Sequence, residues 1–187
     1  STCRRRRPAC SPPRSGPAQT VDPAATSTLI TIADTFVRDG AYAERNFGAE
    51  NVISAKQSGT DSNRKGLVKF SLKNLSGITS AKLRLYGAVS RSASVSIGVS
   101  PTESNWAEST VSWTTQPKAR PVIGNITVDS TTYKWYSIDV TGHVRDALAA
   151  SRSTLSLELH GLARTDAVVS FASRESGRGS AMLEIHK

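Results

Sequence analysis

The most regular pattern in the chain is the alternation in Gly66-Leu-Val-Lys-Phe-Ser-Leu72, where Val68, Phe70 and Leu72 fall on one side and Lys69 and Ser71 on the other. Strand side chains alternate with a period of two, so this stretch predicts a half-buried strand with an apolar inner face. Ala81–Tyr86 repeats the pattern, with Ala81, Leu83 and Leu85 inward and Lys82, Arg84 and Tyr86 outward. Ser94–Val99, Thr154–His160 and Ala167–Ser173 alternate in the same way, and Met182–Ile185 predicts a closing strand. Leu29–Val37 predicts a first strand region and Val52–Lys56 a second, with further strands at Ile126–Val128 and Trp135–Val140. Trp135 and Tyr136 are consecutive, so one of them faces solvent. One helix is predicted over Thr141–Ala150, from Val144 and Leu148 four residues apart and Thr141 as the N-cap.

Pro101–Pro121 reads as a long loop with one short strand at Thr110–Thr114, its Trp106 and Trp113 plugging the end of the fold. Short strands, one short helix and many Ser/Thr/Gly turns make the chain all-β, an antiparallel β-sandwich of jelly-roll type. Residues 26–187 form that one domain. Residues 1–25, with five prolines and the run Arg4–Arg7, read as an extended N-terminal arm. No apolar run approaches the ~18 residues that cross a membrane. Ser1 leading straight into arginines reads as a processed start without a signal peptide.

Charge sharpens this picture. The formal net charge is +9, and five arginines against Asp22 give residues 1–25 +4 of it. A basic domain favours polyanions, whether acidic polysaccharide, nucleic acid or anionic lipid. The period of two puts Lys56, Lys69, Lys82, Arg84, His160, Arg174 and Tyr86 on sheet faces, either as a solvated surface or as a binding face. Scarce exposed aromatics argue against single-stranded nucleic acid. Cys3 and Cys10, both in the arm, can close a small disulfide loop in an oxidising compartment.

Nothing in the chain reads as catalytic. His143, His160 and His186 share no ligand spacing, and nucleophile-elbow, phosphate-loop and zinc-protease motifs are missing. The scattered acids define no glycosidase pair. Asp34 and Asp39, near Asn46, offer oxygen ligands to a structural calcium ion or, alternatively, cap turns. Arg174-Glu175 after a strand predicts an ion pair that locks the fold.

The order of these pieces resembles the DNRLRE domain, grouped with carbohydrate-binding module family 96. The matching stretches are Ala33–Val37, Asn46-Phe-Gly48, Asn63–Leu72, Ile78–Tyr86, Trp106-Ala-Glu108 with Val111-Ser-Trp113, Ile138–Thr141 and Val169–Glu175. The resemblance implies an extracellular, non-catalytic jelly roll that binds alginate in several cases, with Arg64, Lys69, Arg84 and Arg174 at its basic positions. The expected function is thus a secreted domain binding an acidic polysaccharide on a basic sheet face. Arg64, Lys69 and Arg84 would contact carboxylates and Tyr86 would stack on a ring. The rival is a subunit of an extracellular filament whose arm, including Thr28–Ile32, adds to a neighbour's sheet.

Overall fold

The two most regular alternations in the chain become interior strands of two different sheets. The computed structural model describes residues 25–187. In chain order its strands are β1 (Thr26–Ile30), β2 (Ala33–Arg38), β3 (Val52–Ala55), β4 (Arg64–Ser71), β5 (Ser80–Val89), β6 (Val95–Thr102), β7 (Gly124–Val128), β8 (Lys134–Asp139), β9 (Thr154–Gly161), β10 (Val169–Ala172) and β11 (Met182–His186). Helix α1 (Thr141–Ala149) lies between β8 and β9. Cys3, Cys10 and the expected arm lie outside the described residues.

In the first sheet β5 runs through the middle. It pairs with β8 along one side, and with β11 and then β10 along the other; β1 continues beyond β11 and β3 beyond β10. The second sheet has the order β2-β4-β9-β6-β7, every pair antiparallel. Between the sheets lies one core, in which Val68, Phe70, Leu83, Leu85, Leu157, Phe171 and Leu183 are all buried. The result is an antiparallel jelly-roll sandwich with one short helix.

Four expectations change. Leu29–Val37 is two strands in opposite sheets, because Thr31 donates its N–H to Ala181, just before β11 of the first sheet, and Ile32 donates to Lys69 of the second. Thr110–Thr114 is not a strand: the N–H groups of Thr110 and Val111 close a local turn on the Ala107 carbonyl, and that of Thr114 donates to Ala43. Thr141 does not cap α1 with its side chain; its hydroxyl instead accepts from Ala81 N–H, while its own N–H donates to Asp139. Trp106 and Trp113 do not plug the end of the sandwich. Their loop roofs the outer face of the second sheet, where Trp106 and Val111 cover Val37 and Leu67.

That roof is held by Asn46. Its amide donates to the carbonyls of Glu108 and Val111 at 2.7 and 2.8 Å and accepts from Gly48 N–H. Gly48 passes so close to the Glu108 backbone that a Cβ there would collide with it. The two sheet faces therefore differ. The first sheet presents β5, β8 and β11 to solvent, whereas the second is largely covered. Among the described residues, no helix is long and apolar enough to cross a membrane.

Candidate functional site

On the open face of the first sheet, the register sets Tyr86 of β5 directly opposite Trp135 of β8. Opposed residues of an antiparallel pair project to one side, so the two rings share the outer face. Their centroids are 5.2 Å apart, and Tyr133, just before β8, brings a third ring to 5.4 Å from Tyr86. Trp135 is 38% exposed, unusually so for an indole packed on a sheet. Gly179 (φ +105°) borders it, and a Cβ there would come within 3.2 Å of the indole, so the glycine leaves that edge of the ring clear. Three aromatic rings on an extended sheet surface offer apolar faces to the C–H faces of sugar rings. A depression of about 230 Å³ lined by Tyr133, Ala172, Ser176 and Arg178 adjoins the platform, whereas one of about 350 Å³, lined by Thr102, Glu103, His143 and Arg152, lies away from it and carries no Tyr, Trp or Phe.

Two cations near this platform, Arg84 and Lys134, are paired with acids. Arg84 lies 5.4 Å from the Trp135 ring and donates to Glu184 at 2.7 Å, which also holds His186. These bonds hold the Glu184 carboxyl below its ordinary range. Lys82 stands in register between Asp139 and Glu184, and Lys134 bonds Asp129.

The remaining expected residues scatter. Lys69 lies on the opposite outer face from Arg84, under the tryptophan roof: its Nζ is 4.3 Å from the Trp106 ring and donates to the Trp106 carbonyl. Burial holds its pKa down. His160 shares that covered face, with Nδ1 3.2 Å from the buried Glu158 carboxylate. Lys56 donates to Ser62, and Arg64 pairs with it backbone to backbone at the junction of the two sheets. Arg174 lies on no sheet face; it occupies a 3-10 turn that follows β10. The eight positions therefore do not form one basic face. Tyr133 and Trp135, which complete the platform, are the partners the sequence reading left out of the site.

Lys69 accordingly supports the fold. Lys69→Met is expected to cost about 1–2 kcal/mol, the scale of a charged hydrogen bond partly open to solvent. Differential scanning fluorimetry checks this as a fall of a few degrees in Tm, with retention on polysaccharide gels unchanged.

Asp34 and Asp39 are not brought together as a pair of ligands. Asp39 accepts from the backbone and side-chain amides of Asn63 at 2.7 and 2.6 Å and fixes the 57–63 loop. Asp34 is buried and joins Glu108 and Glu175, whose carboxylate oxygens approach within 4.8 Å of one another, a spacing suited to a hard cation. Arg174 already supplies a positive charge there. Its guanidinium donates to Glu108 at 2.7 Å and lies 3.6 Å from Glu175 and 3.8 Å from Asp34. Asp34 also accepts from Thr31 and from Arg174 N–H. Burial pushes its pKa up to about 6. A calcium ion does not fit beside that guanidinium without displacing it.

Among solved structures, the chain is similar to the CBM36-1 domain of a multidomain xylanase from the hindgut metagenome of Trinervitermes trinervoides, at 8% identity over 86% of this chain and 96% of that one (TM-score 0.38). It is similar to a carbohydrate-binding module CBM36 in complex with calcium and xylotriose, at 11% identity over 81% and 98% (TM-score 0.34). The CBM22-1 xylan-binding domain of Paenibacillus barcinonensis Xyn10C is likewise similar, at 9% identity over 88% and 96% (TM-score 0.38). No curated protein matches the chain. The sequence profile of carbohydrate-binding module family 96 matches residues 25–187, so the chain belongs to that family of non-catalytic carbohydrate-binding domains.

Proposed function

We propose that this chain is a secreted domain that binds an acidic polysaccharide, alginate-like in charge, along the open face of its first sheet. The observation that carries the reading is the cluster of Tyr86, Tyr133 and an exposed Trp135 on a face with no roof. Sugar rings stack on these side chains, and Arg84 and Lys82 lie alongside to meet polar groups. The excess of cations over the whole chain favours an anionic polymer and raises its local concentration. Affinity electrophoresis through gels containing alginate, dextran or no polymer tests this. Retardation by alginate that weakens with salt is expected; equal mobility in all three gels contradicts it.

Calcium has no required part in this reading, because Arg174 provides the cation among Asp34, Glu108 and Glu175. The expected result is a Tm that is the same in calcium and in chelator at matched ionic strength. A rise with calcium alone would mean that the ion enters and stabilises the folded state by mass action.

The rival reading, a filament subunit joined through its N-terminal arm, has against it that Thr26–Ile30 pairs with this chain's own β11. In its favour are exposed Ile30 and Ile32 at that edge. Sedimentation velocity over a concentration series separates a monomer from an assembling subunit.

A further inference from the structure

Five arginines, Arg45, Arg84, Arg91, Arg120 and Arg174, each have a carboxylate at ion-pair distance. Of the six described arginines with none, Arg38 and Arg64 are the two whose Nε atoms are buried without an acceptor. They are also direct antiparallel partners, the last residue of β2 opposite the first of β4. Opposed residues project to the same side with Cβ atoms about 5 Å apart, and like charges there repel. Burial, followed by the charge of Arg38, holds the Arg64 guanidinium below its ordinary pKa.

Among the described residues, no carboxylate stands at ion-pair distance from either guanidinium. Asp39, next to Arg38 in sequence, spends both carboxylate oxygens on Asn63. Lys56, bridged to the Arg64 backbone, turns its Nζ to Ser62 at 3.1 Å. The Tyr42 ring supports Arg38 from 3.9 Å and fixes the plane of its guanidinium. The fold thus holds two oriented, partly desolvated guanidinium forks side by side, with donors left over. A neutral sugar hydroxyl cannot offset two such charges. An oxyanion with at least two acceptor oxygens, a planar carboxylate or a tetrahedral sulfate ester, can, by accepting paired N–H donors from the forks.

We propose that Arg38 and Arg64 form an oxyanion clamp that takes an acidic group of the polysaccharide, a carboxylate or a sulfate ester. This deepens the functional reading above and rests on it. The clamp lies in the second sheet and the aromatic platform in the first, so the two sites are separable by mutation. Stacking on Trp135 holds the sugar, and the arginine pair makes binding depend on its charge.

The test uses alginate, dextran sulfate and dextran gels with the parent, Arg38→Gln, Arg64→Gln, the double variant and Trp135→Ala. Each single arginine change is expected to weaken retention by at least one of the two polyanions about tenfold. The double variant should lose about a hundredfold, with a shallower dependence on salt. Whether alginate or dextran sulfate responds identifies the group as carboxylate or sulfate. Without ligand, the double variant should melt at or above the parent's Tm, since a repulsion has been removed. Unchanged retention of the double variant on both polyanions overturns the clamp, as does a ligand-free Tm well below the parent's, which would make the arginines structural. Failure of the parent to bind any polymer overturns the functional reading instead. In that case sodium sulfate against sodium chloride, at matched ionic strength, still tests the clamp: sulfate stabilises proteins generally, so the result to read is a larger Tm gain in the parent than in the double variant. Equal gains refute the clamp.

Discussion

Trp135→Ala is expected to abolish retention on polysaccharide gels while the melt falls by no more than about four degrees from the parent's. Trp135 projects from β8, an edge strand of the first sheet, and its indole is 38% exposed. The indole packs on Tyr86 outside the core between the sheets, so its removal is expected to cost roughly 1 kcal/mol, ~2–4 °C in Tm. Binding loses more. Truncating an aromatic anchor at the centre of an interface costs about 2 kcal/mol or more, a fall in affinity of about thirtyfold. Tyr86 lies between the other two rings, at 5.2 and 5.4 Å, so the platform has its greatest continuous apolar face there. Isothermal titration of parent and variant with alginate oligosaccharides, beside their melting curves, checks both halves of the expectation.

Arg174→Met is expected to do the opposite, lowering Tm by roughly 5–10 °C without a specific loss of binding. The guanidinium links three parts of the chain: Ile32 between the sheets, Asp34 of β2 and Glu108 of the tryptophan roof. Removing one partner of a fully buried ion pair costs about 3–5 kcal/mol. Arg174 is about one-third exposed, so roughly 2–3 kcal/mol is the appropriate scale, at ~2–4 °C per kcal/mol for a domain of this size. The loss should also depend on pH. Burial raises Asp34 to about 6, above its ordinary 3.8, so the folded protein binds this proton more tightly than the unfolded chain. Its contribution is therefore fully present below about pH 4 and is lost as pH rises through about 6, a change of roughly 3 kcal/mol. Without Arg174 the three carboxylates repel one another most when all are charged. The deficit of the variant should be largest near pH 7.5 and shrink toward pH 5. A deficit that is constant over that range would mean that Arg174 acts through packing alone.

The alternation in Ala81–Tyr86 was enough to place Tyr86 and Arg84 on an outer face, because period-two patterning is a local property of a strand. One of the platform's three rings was therefore legible. The other two depend on register: nothing local in Lys134–Asp139 says that Trp135 lies opposite Tyr86 rather than one pair along. Lys69 and Arg84 look alike in sequence, and only the crossing of strands between sheets sends them to opposite faces. A signal for the roof was present in the doublets Phe36-Val37 and Leu67-Val68. Apolar side chains on both sides of a strand mark a sheet covered on both faces, and Val37 and Leu67 are the residues beneath Trp106 and Val111. Charge partners were the least legible feature. Arg38 stands next to Asp39 in the sequence, yet Asp39 bonds Asn63 and Arg38 faces Arg64. Glu184 and Arg84 are distant in sequence and meet only because β11 pairs with β5.

The three tryptophans provide the most direct test of which face holds the sugar. Trp135 is exposed on the first sheet, Trp106 is buried in the roof with its indole N–H on Ser156, and Trp113 packs beside it. Their indole N–H signals in a nitrogen–proton correlation spectrum report on the two faces separately during titration with alginate oligosaccharides. The account predicts that the Trp135 signal shifts progressively to saturation while the Trp106 signal stays in place. A saturating shift of Trp106 or Trp113, with Trp135 unmoved, would contradict it and transfer the binding site to the opposite face.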